Sequence, residues 1–249
     1  EQRTRLERQE HQLAAIMRLI VDPALSAGDE GALRTLTEVA AAALSVSRAS
    51  VWVLDGDTRR LSCLDLFDGR RLDHDYGHVR GGTINADAFD RYFSALRSGR
   101  TIVAQDARTH PDTSEMAGGY LEAEGIASII DAPVFLDGRL AGVVCLEHAG
   151  ELREWTHDET RFAGELATLL GRFLVARERS RAMAEQARLS AILDATPDYV
   201  STVDTGLNVI YLNLSARRMR GLSGEHLPEH LRVGDLSPPE AYRHYVDVE

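Results

Sequence analysis

From Thr156 to Asp194 the sequence holds no proline and only two glycines, Gly164 and Gly171. Thr156 and Glu159 stand at its head in the S/T-x-x-E spacing of a capping box, in which the hydroxyl accepts from the third helical amide and the carboxylate reaches back. The run therefore predicts one helix, roughly 55 to 60 Å long at about 1.5 Å per residue. A small domain cannot cover such a helix from end to end. The chain must pack a domain on the first part of it and carry something different on the rest.

A shorter helical arm opens the chain. From Arg3 to Ile20 the sequence is charged, with Leu6, Leu13, Met17 and Ile20 on one stripe, and Pro23 ends the pattern. So narrow an apolar seam suits a partner helix; a first helix packed on its own domain is the other reading. Helical period returns from Gly28 to Val46 through Leu33, Leu36, Val39, Ala40, Ala43 and Leu44. At Ser50 the pattern becomes that of strands, SVWVLD and RLSCLDLF, joined by a turn at Gly56-Asp57. A short strand is expected within Tyr76 to Arg80, then a helix from Asn85 to Ser98 with Phe89, Tyr92, Phe93 and Leu96 on one face, closed by Gly99. A strand at Thr101 to Ala104 leads to a helix presenting Met116, Tyr120 and Leu121. SIIDAPVFL and RLAGVVCLEH then flank Asp137-Gly138, a strong two-residue hairpin signal. The fold class is α+β: an antiparallel sheet with helices placed before, within and after it.

Charge narrows the function. The 249 residues are 44% hydrophobic, enough for a real core, and carry a net charge of -11. That field repels phosphate backbones and anionic lipid, so no nucleic-acid partner is expected, and no apolar run approaches the roughly 18 residues that span a bilayer, so no direct membrane insertion is expected either. Cys63 and Cys145 lie in apolar runs far apart, as buried free thiols of a reducing, cytoplasmic compartment do. The absence of an initiator Met and the ending at Glu249 in mid-pattern suggest a piece of a longer protein.

The order of elements, together with ASVWVLD, EGIASIIDAPVFLDGRLAGVVCLEH and EWTHDETRFAGELATLLG, resembles GAF domains of bacterial multidomain sensor proteins over about residues 28 to 180. From Leu189, AILDATPDYVSTVDTGLNVIYLNLSARRMRGLSGEHL resembles the opening of a PAS domain, with a strand after Pro197, a hairpin at Thr205-Gly206, and Asn213 ahead of a short helix. The resemblance implies a central antiparallel sheet with helices on both faces, with a helical arm at 1–20, a GAF domain at 21–180, a signalling-helix continuation at 181–195 acting as a coiled-coil linker, and a partial PAS domain at 196–249. It implies a sensory input and relay region working as a homodimer through the N-terminal and exit helices. The output module of such a parent would be a histidine kinase of a two-component system, with a diguanylate cyclase next. On the exit helix, Phe173, Ala176, Ser180, Met183, Ala187 and Ser190 form a weak 3-4 seam suited to two registers.

No catalytic constellation is legible: there is no nucleophile elbow, P-loop, G-x-G-x-x-G or H-E-x-x-H. The fragment is expected not to be an enzyme. Free methionine sulfoxide reductases share the GAF fold but use closely placed cysteines, which Cys63 and Cys145 do not resemble. His74 and His78, with Asp73 and Asp75, would make a metal corner on a helix, but Gly77 argues for a loop, and no metal is assigned. The segment SEMAGGYLEAEGI lacks the Cys that holds a bilin in phytochrome-type GAF domains, and the N-K…F-x-x-x-D-E signature of cyclic-nucleotide GAF domains is missing. The cofactor is unknown.

What remains is an unidentified small molecule on the sheet face opposite the terminal helices, the usual GAF pocket. Polar residues inside apolar strands need a partner, a water or a ligand. Asp65, Asp131 and Glu147 are such residues, with Trp52, Phe89, Tyr92 and Tyr120 as an apolar wall. Asp131 and Glu147 bonded to backbone amides or an Arg would instead serve stability, and a ligand-free GAF dimerisation scaffold is the alternative function.

Overall fold

The structure is a computed structural model, described at residues 2–55, 60–71, 77–222, 227 and 230–236, with side chains from Leu6 onward. The Gly56-Asp57 turn and the His74 metal corner lie outside the described residues. The chain divides into two compact units, Glu1–Ser180 and Arg181–Glu249.

In the first unit α1 (Gln2–Ile20), α2 (Pro23–Ala27) and α3 (Ala32–Leu44) precede the sheet. Pro23 does more than stop α1. It occupies the first turn of α2, where its missing N–H costs nothing, and the Asp22 carboxylate accepts from Ala24 N at 2.9 Å. Gly28 ends α2 at φ +75°, and a Cβ there would lie 2.3 Å from the Arg177 backbone nitrogen, so only glycine permits this approach.

The strands are β1 (Arg48–Asp55), β2 (Arg60–Asp68), β3 (His78–Val79), β4 (Thr83–Asn85), β5 (Ile102–Ala104), β6 (Ile126–Leu136) and β7 (Arg139–Ala149). They form one antiparallel sheet in the order β3-β2-β1-β7-β6-β5, with β4 also paired to β2. Asp137 and Gly138 both take positive φ, 48° and 74°, as a tight hairpin turn that follows the strand twist requires. Gly142 lets β7 pass close to β1, since a Cβ there would sit 2.3 Å from the Trp52 carbonyl oxygen.

Both faces of the central strands are covered, which is why their apolar runs are nearly continuous. One core joins Ile16, Leu19, Leu33, Leu36, Val51, Ile130, Val144, Leu146, Phe162, Leu166 and Phe173 beneath α1, α3 and the long helix α5 (His157–Ala195). The other joins Trp52, Cys63, Tyr92, Phe93, Met116, Leu121, Ile129, Val143 and Cys145. Its cover consists of α4 (Asp90–Arg97), a 3-10 turn (Ser114–Met116) and a π-helical turn (Ala117–Leu121). The helix expected from Asn85 to Ser98 is broken: Phe89, at φ -141°, separates a 3-10 turn (Ala86–Ala88) from α4.

The capping box of α5 forms in both directions, with Thr156 N to Glu159 Oε2 at 2.8 Å and Glu159 N to Thr156 Oγ1 at 3.3 Å. The helix is buried as far as Leu174, and beyond it Val175, Met183, Leu189 and Ile192 are exposed. Phe173, expected in the exit seam, is instead a core residue at 1% exposure, because the domain covers the helix through that turn. On α1 the two readings apply to different faces. Gln12, Ile16 and Leu19 are buried on the domain, while Leu6, Leu13, Met17 and Ile20 stay 39 to 62% exposed.

In the second unit β8 (Ser201–Val203) and β9 (Val209–Leu212) form an antiparallel hairpin followed by α6 (Leu214–Met219). Asn213 organises it: Oδ1 accepts from Val200 N and Ala216 N, each at 3.0 Å, and Nδ2 donates to Asp198 O at 2.8 Å. Asp204 Oδ1 closes the hairpin loop by accepting from Gly206 N and Asn208 N. No helix among the described residues is long and apolar enough to cross a membrane.

Candidate functional site

The sheet face turned away from α1, α3 and α5 is built by register. Residues opposite one another in a ladder share a face, as do residues two apart on a strand. Cys145 pairs with Ser50 on one side and Asp131 on the other, and Glu147 pairs with Arg48 and Ile129. Trp52 pairs with Val143. Arg48, Ser50, Trp52, Asp131, Cys145 and Glu147 therefore lie on one inner surface, and Tyr92 and Tyr120 are lowered onto it from α4 and the π-helical turn.

Asp131 is the most constrained group there. It is 2% exposed, and its Oδ2 accepts from the Tyr92 hydroxyl at 2.8 Å. Its Oδ1 has no hydrogen-bond partner. Burial pushes the carboxyl up to about 7, the charge of Glu147 adds to this, and the Tyr92 and Cys145 side chains pull the other way. Tyr92 and Cys145 are themselves raised well above their ordinary values, by burial first and by Asp131 second.

Glu147 is held differently. The Tyr120 hydroxyl approaches both its oxygens, at 2.7 and 2.9 Å, and Arg48 Nε lies 3.4 Å from Oε2. Burial raises Glu147 while Arg48 and Tyr120 lower it, with a net upward result. Arg48 is 4% exposed, lies 3.0 Å from Glu124 and 3.7 Å from Asp68, and its guanidinium sits 5.5 Å from the centre of the Tyr120 ring. Burial alone would lower Arg48; the surrounding carboxylates outweigh it and raise the group. Arg70 and Arg71 complete the charge balance against Asp68 and Glu124. The structural role expected of an Arg partner thus holds for Glu147 and leaves out Asp131.

Trp52 donates its indole N–H to Ser50 Oγ at 2.8 Å, and half-buried Phe89 packs at the edge of the same core. Asp65 does not belong to this surface. In the ladder Trp52 faces Cys63 while Val51 faces Asp65, so one residue, Leu64, is extra in β2. That bulge turns Asp65 to the helix side. There it accepts from Thr37 Oγ1 at 2.6 Å, with His78 Nδ1 at 2.9 Å and Arg80 Nε at 3.3 Å. His78 is spanned by Asp65 and Glu38, the latter at 3.0 Å. No group of three or more His, Cys, Asp or Glu suited to a metal occurs among the described residues.

Sequence reasoning missed Arg48, Ser50 and Cys145 on the inner surface. The signal was present, since each lies two or four residues along its strand from Trp52 or Glu147. Cys63 and Cys145 are both buried free thiols, and burial first, then Asp65, pushes Cys63 up to about 12.

Among known proteins, the model of the GAF domain matches residues 30–174. An uncharacterized protein of Azorhizobium caulinodans is 25% identical over 158 residues, 61% of this chain and 19% of that protein. The chain thus spans about a fifth of that relative's length. The GAF domain of the Acinetobacter phosphoenolpyruvate-protein phosphotransferase superposes at TM-score 0.51 with 14% identity, covering 70% of this chain and 93% of that one. The photosensory core module of the Stigmatella aurantiaca phytochrome gives TM-score 0.57 with 14% identity, over 79% and 42%. Free methionine-R-sulfoxide reductase of Neisseria meningitidis, solved with its substrate, gives 0.50 with 18% identity, over 70% and 91%. At these identities the likeness is one of fold.

Proposed function

This chain belongs to the GAF domain family over residues 30–174, and on that premise we propose that it is a cytoplasmic sensory input and relay region of a bacterial signalling protein. The GAF unit binds a small molecule on its inner sheet face and passes the change along α5 to a PAS-like unit and an output module outside this chain. A histidine kinase is the favoured output and a diguanylate cyclase the next. The observation that carries the binding half is Asp131 Oδ1, a buried carboxylate oxygen without a partner. Such an atom costs about 1 to 3 kcal/mol unless something fills its place, and charged groups cost more.

The relay half is supported by the exposed stripe on α1. Leu6, Leu13, Met17 and Ile20 stand at steps of seven, four and three on the side of the helix that the domain does not use. A second copy of the same stripe covers it in a parallel dimer, in the manner of a coiled-coil seam. Catalysis is not part of the proposal, because Cys63 and Cys145 are held as thiols by burial rather than as nucleophilic thiolates. The second reading is a dimerisation scaffold without a ligand, favoured by the self-contained Arg48–Glu147–Tyr120 network.

Native mass spectrometry and a thermal-shift screen on the purified chain decide between them. A retained small molecule, or a metabolite that raises the melting temperature with dose, supports sensing. Failure across a broad screen, with a dimer still present, leaves the scaffold.

A further inference from the structure

The hydrogen bonds of the inner face are unequally shared. Three of its side-chain donors are committed: Tyr92 O–H on Asp131 Oδ2, Tyr120 O–H on Glu147, and the Trp52 N–H on Ser50 Oγ. Arg48 is enclosed by Glu124, Glu147 and Asp68 at 3.0 to 3.7 Å. Arg48 Nε and Nη1 make no hydrogen bond but already face those carboxylates, so what is left over at Asp131 is acceptor capacity. Asp131 Oδ1 is bare, and the two tyrosine oxygens retain lone pairs after donating.

Charge is unequally shared as well. Glu147 has a cation in Arg48, whereas Asp131 has an ion pair with no cation among the described residues and the negative Glu147 as a neighbour. A proton removes that charge at low pH, and above about pH 7 the carboxylate stands without a counter-charge. From this we infer that the inner face binds a protonated amine whose ammonium sits against Asp131 Oδ1, its apolar body lying along the Trp52, Met116 and Tyr92 side of the second core. An anionic or purely acceptor ligand would meet oxygen with oxygen there. The inference rests on the inner face being the binding site and names the ligand class for it. The upward displacement of Asp131 fits a carboxylate that lacks its cation.

A matched set of probes tests it: n-butylamine, n-butanol and butyrate, titrated against the full chain by thermal shift and calorimetry. The expected result is a saturable rise in melting temperature with butylamine, at least ten-fold weaker binding of butanol, and none of butyrate. Asp131→Asn, of the same shape, abolishes the amine response, while Asp65→Asn, which alters a carboxylate on the helix side of the sheet, retains it. Two folded variants of opposite expectation keep a general loss of stability from imitating the result. Butyrate or butanol binding as tightly as butylamine overturns the ammonium while leaving the pocket standing. An Asn variant that answers like the wild type overturns it too. Silence of all three probes also overturns it, and a non-amine ligand retained in native mass spectrometry would then show that the pocket reading survives alone.

Discussion

Tyr92 donates its hydroxyl to Asp131 at 2.8 Å, which ties α4 to the middle of β6 and leaves the second oxygen of the same carboxylate bare. One hydrogen bond thus joins the cover of the inner face to its floor.

This carboxylate gives stability a definite pH dependence. The unfolded Asp titrates near about 3.9, and the folded one is pushed up to about 7. Between those values the folded state holds the extra proton, so this group's contribution falls as pH rises from about 4 to 7 and is level above, by at most about 4 kcal/mol. Urea denaturation of wild type and Asp131→Asn at pH 5, 6, 7 and 8 measures it. The wild type should lose stability relative to the variant over that span, and parallel curves would show that the shift is absent.

Asp65 should be a stability residue and not a ligand residue. Removing it takes away the carboxylate that Thr37, His78 and Arg80 share, although each keeps a further partner. Asp65→Ala is expected to cost about 3 to 5 kcal/mol, as for one broken member of a buried charged set. Any ligand found by mass spectrometry should keep its affinity in the fraction that folds.

The two glycines Gly28 and Gly164 should respond with opposite signs. Gly28→Ala places a methyl 2.3 Å from the Arg177 backbone at positive φ, and should cost about 2 kcal/mol or more. A Cβ at Gly164 meets nothing within 4 Å, inside α5. Gly164→Ala should therefore stabilise by about 0.5 to 1 kcal/mol. Chemical denaturation of the pair checks both.

Leu13 separates assembly from folding. It is 62% exposed on α1, so Leu13→Glu should leave the melting temperature of the monomer within a degree or two. Sedimentation at tens of micromolar should show wild-type dimer and variant monomer. A wild type that is monomeric at that concentration removes the α1 seam from the relay.

Local signals carried well where one short stretch decides the outcome. The Asp137-Gly138 hairpin, the Thr156/Glu159 box and the Asn213 cap each depend on residues within a few positions of one another, and each forms where its sequence places it. The helix around Phe89 was less legible, because Phe89 leaves helical geometry and joins the second core at its edge. Alternation put Trp52, Asp131 and Glu147 on a common face. It failed for Asp65, since an inserted Leu64 shifts parity without leaving a mark in composition.

The sequence by itself determined the elements, their order and the α+β class, because hydrophobic period, turn chemistry and capping are local properties of the chain. Only the tertiary structure decided which carboxylate is bare. Asp131 and Glu147 look alike as acidic residues in apolar strands, and they differ because register sets Arg48 beside one and Cys145 and Ile102 beside the other, with Tyr92 brought onto it from α4. Partnership across a sheet is a long-range quantity, and a buried charge is defined by what lies opposite it in space.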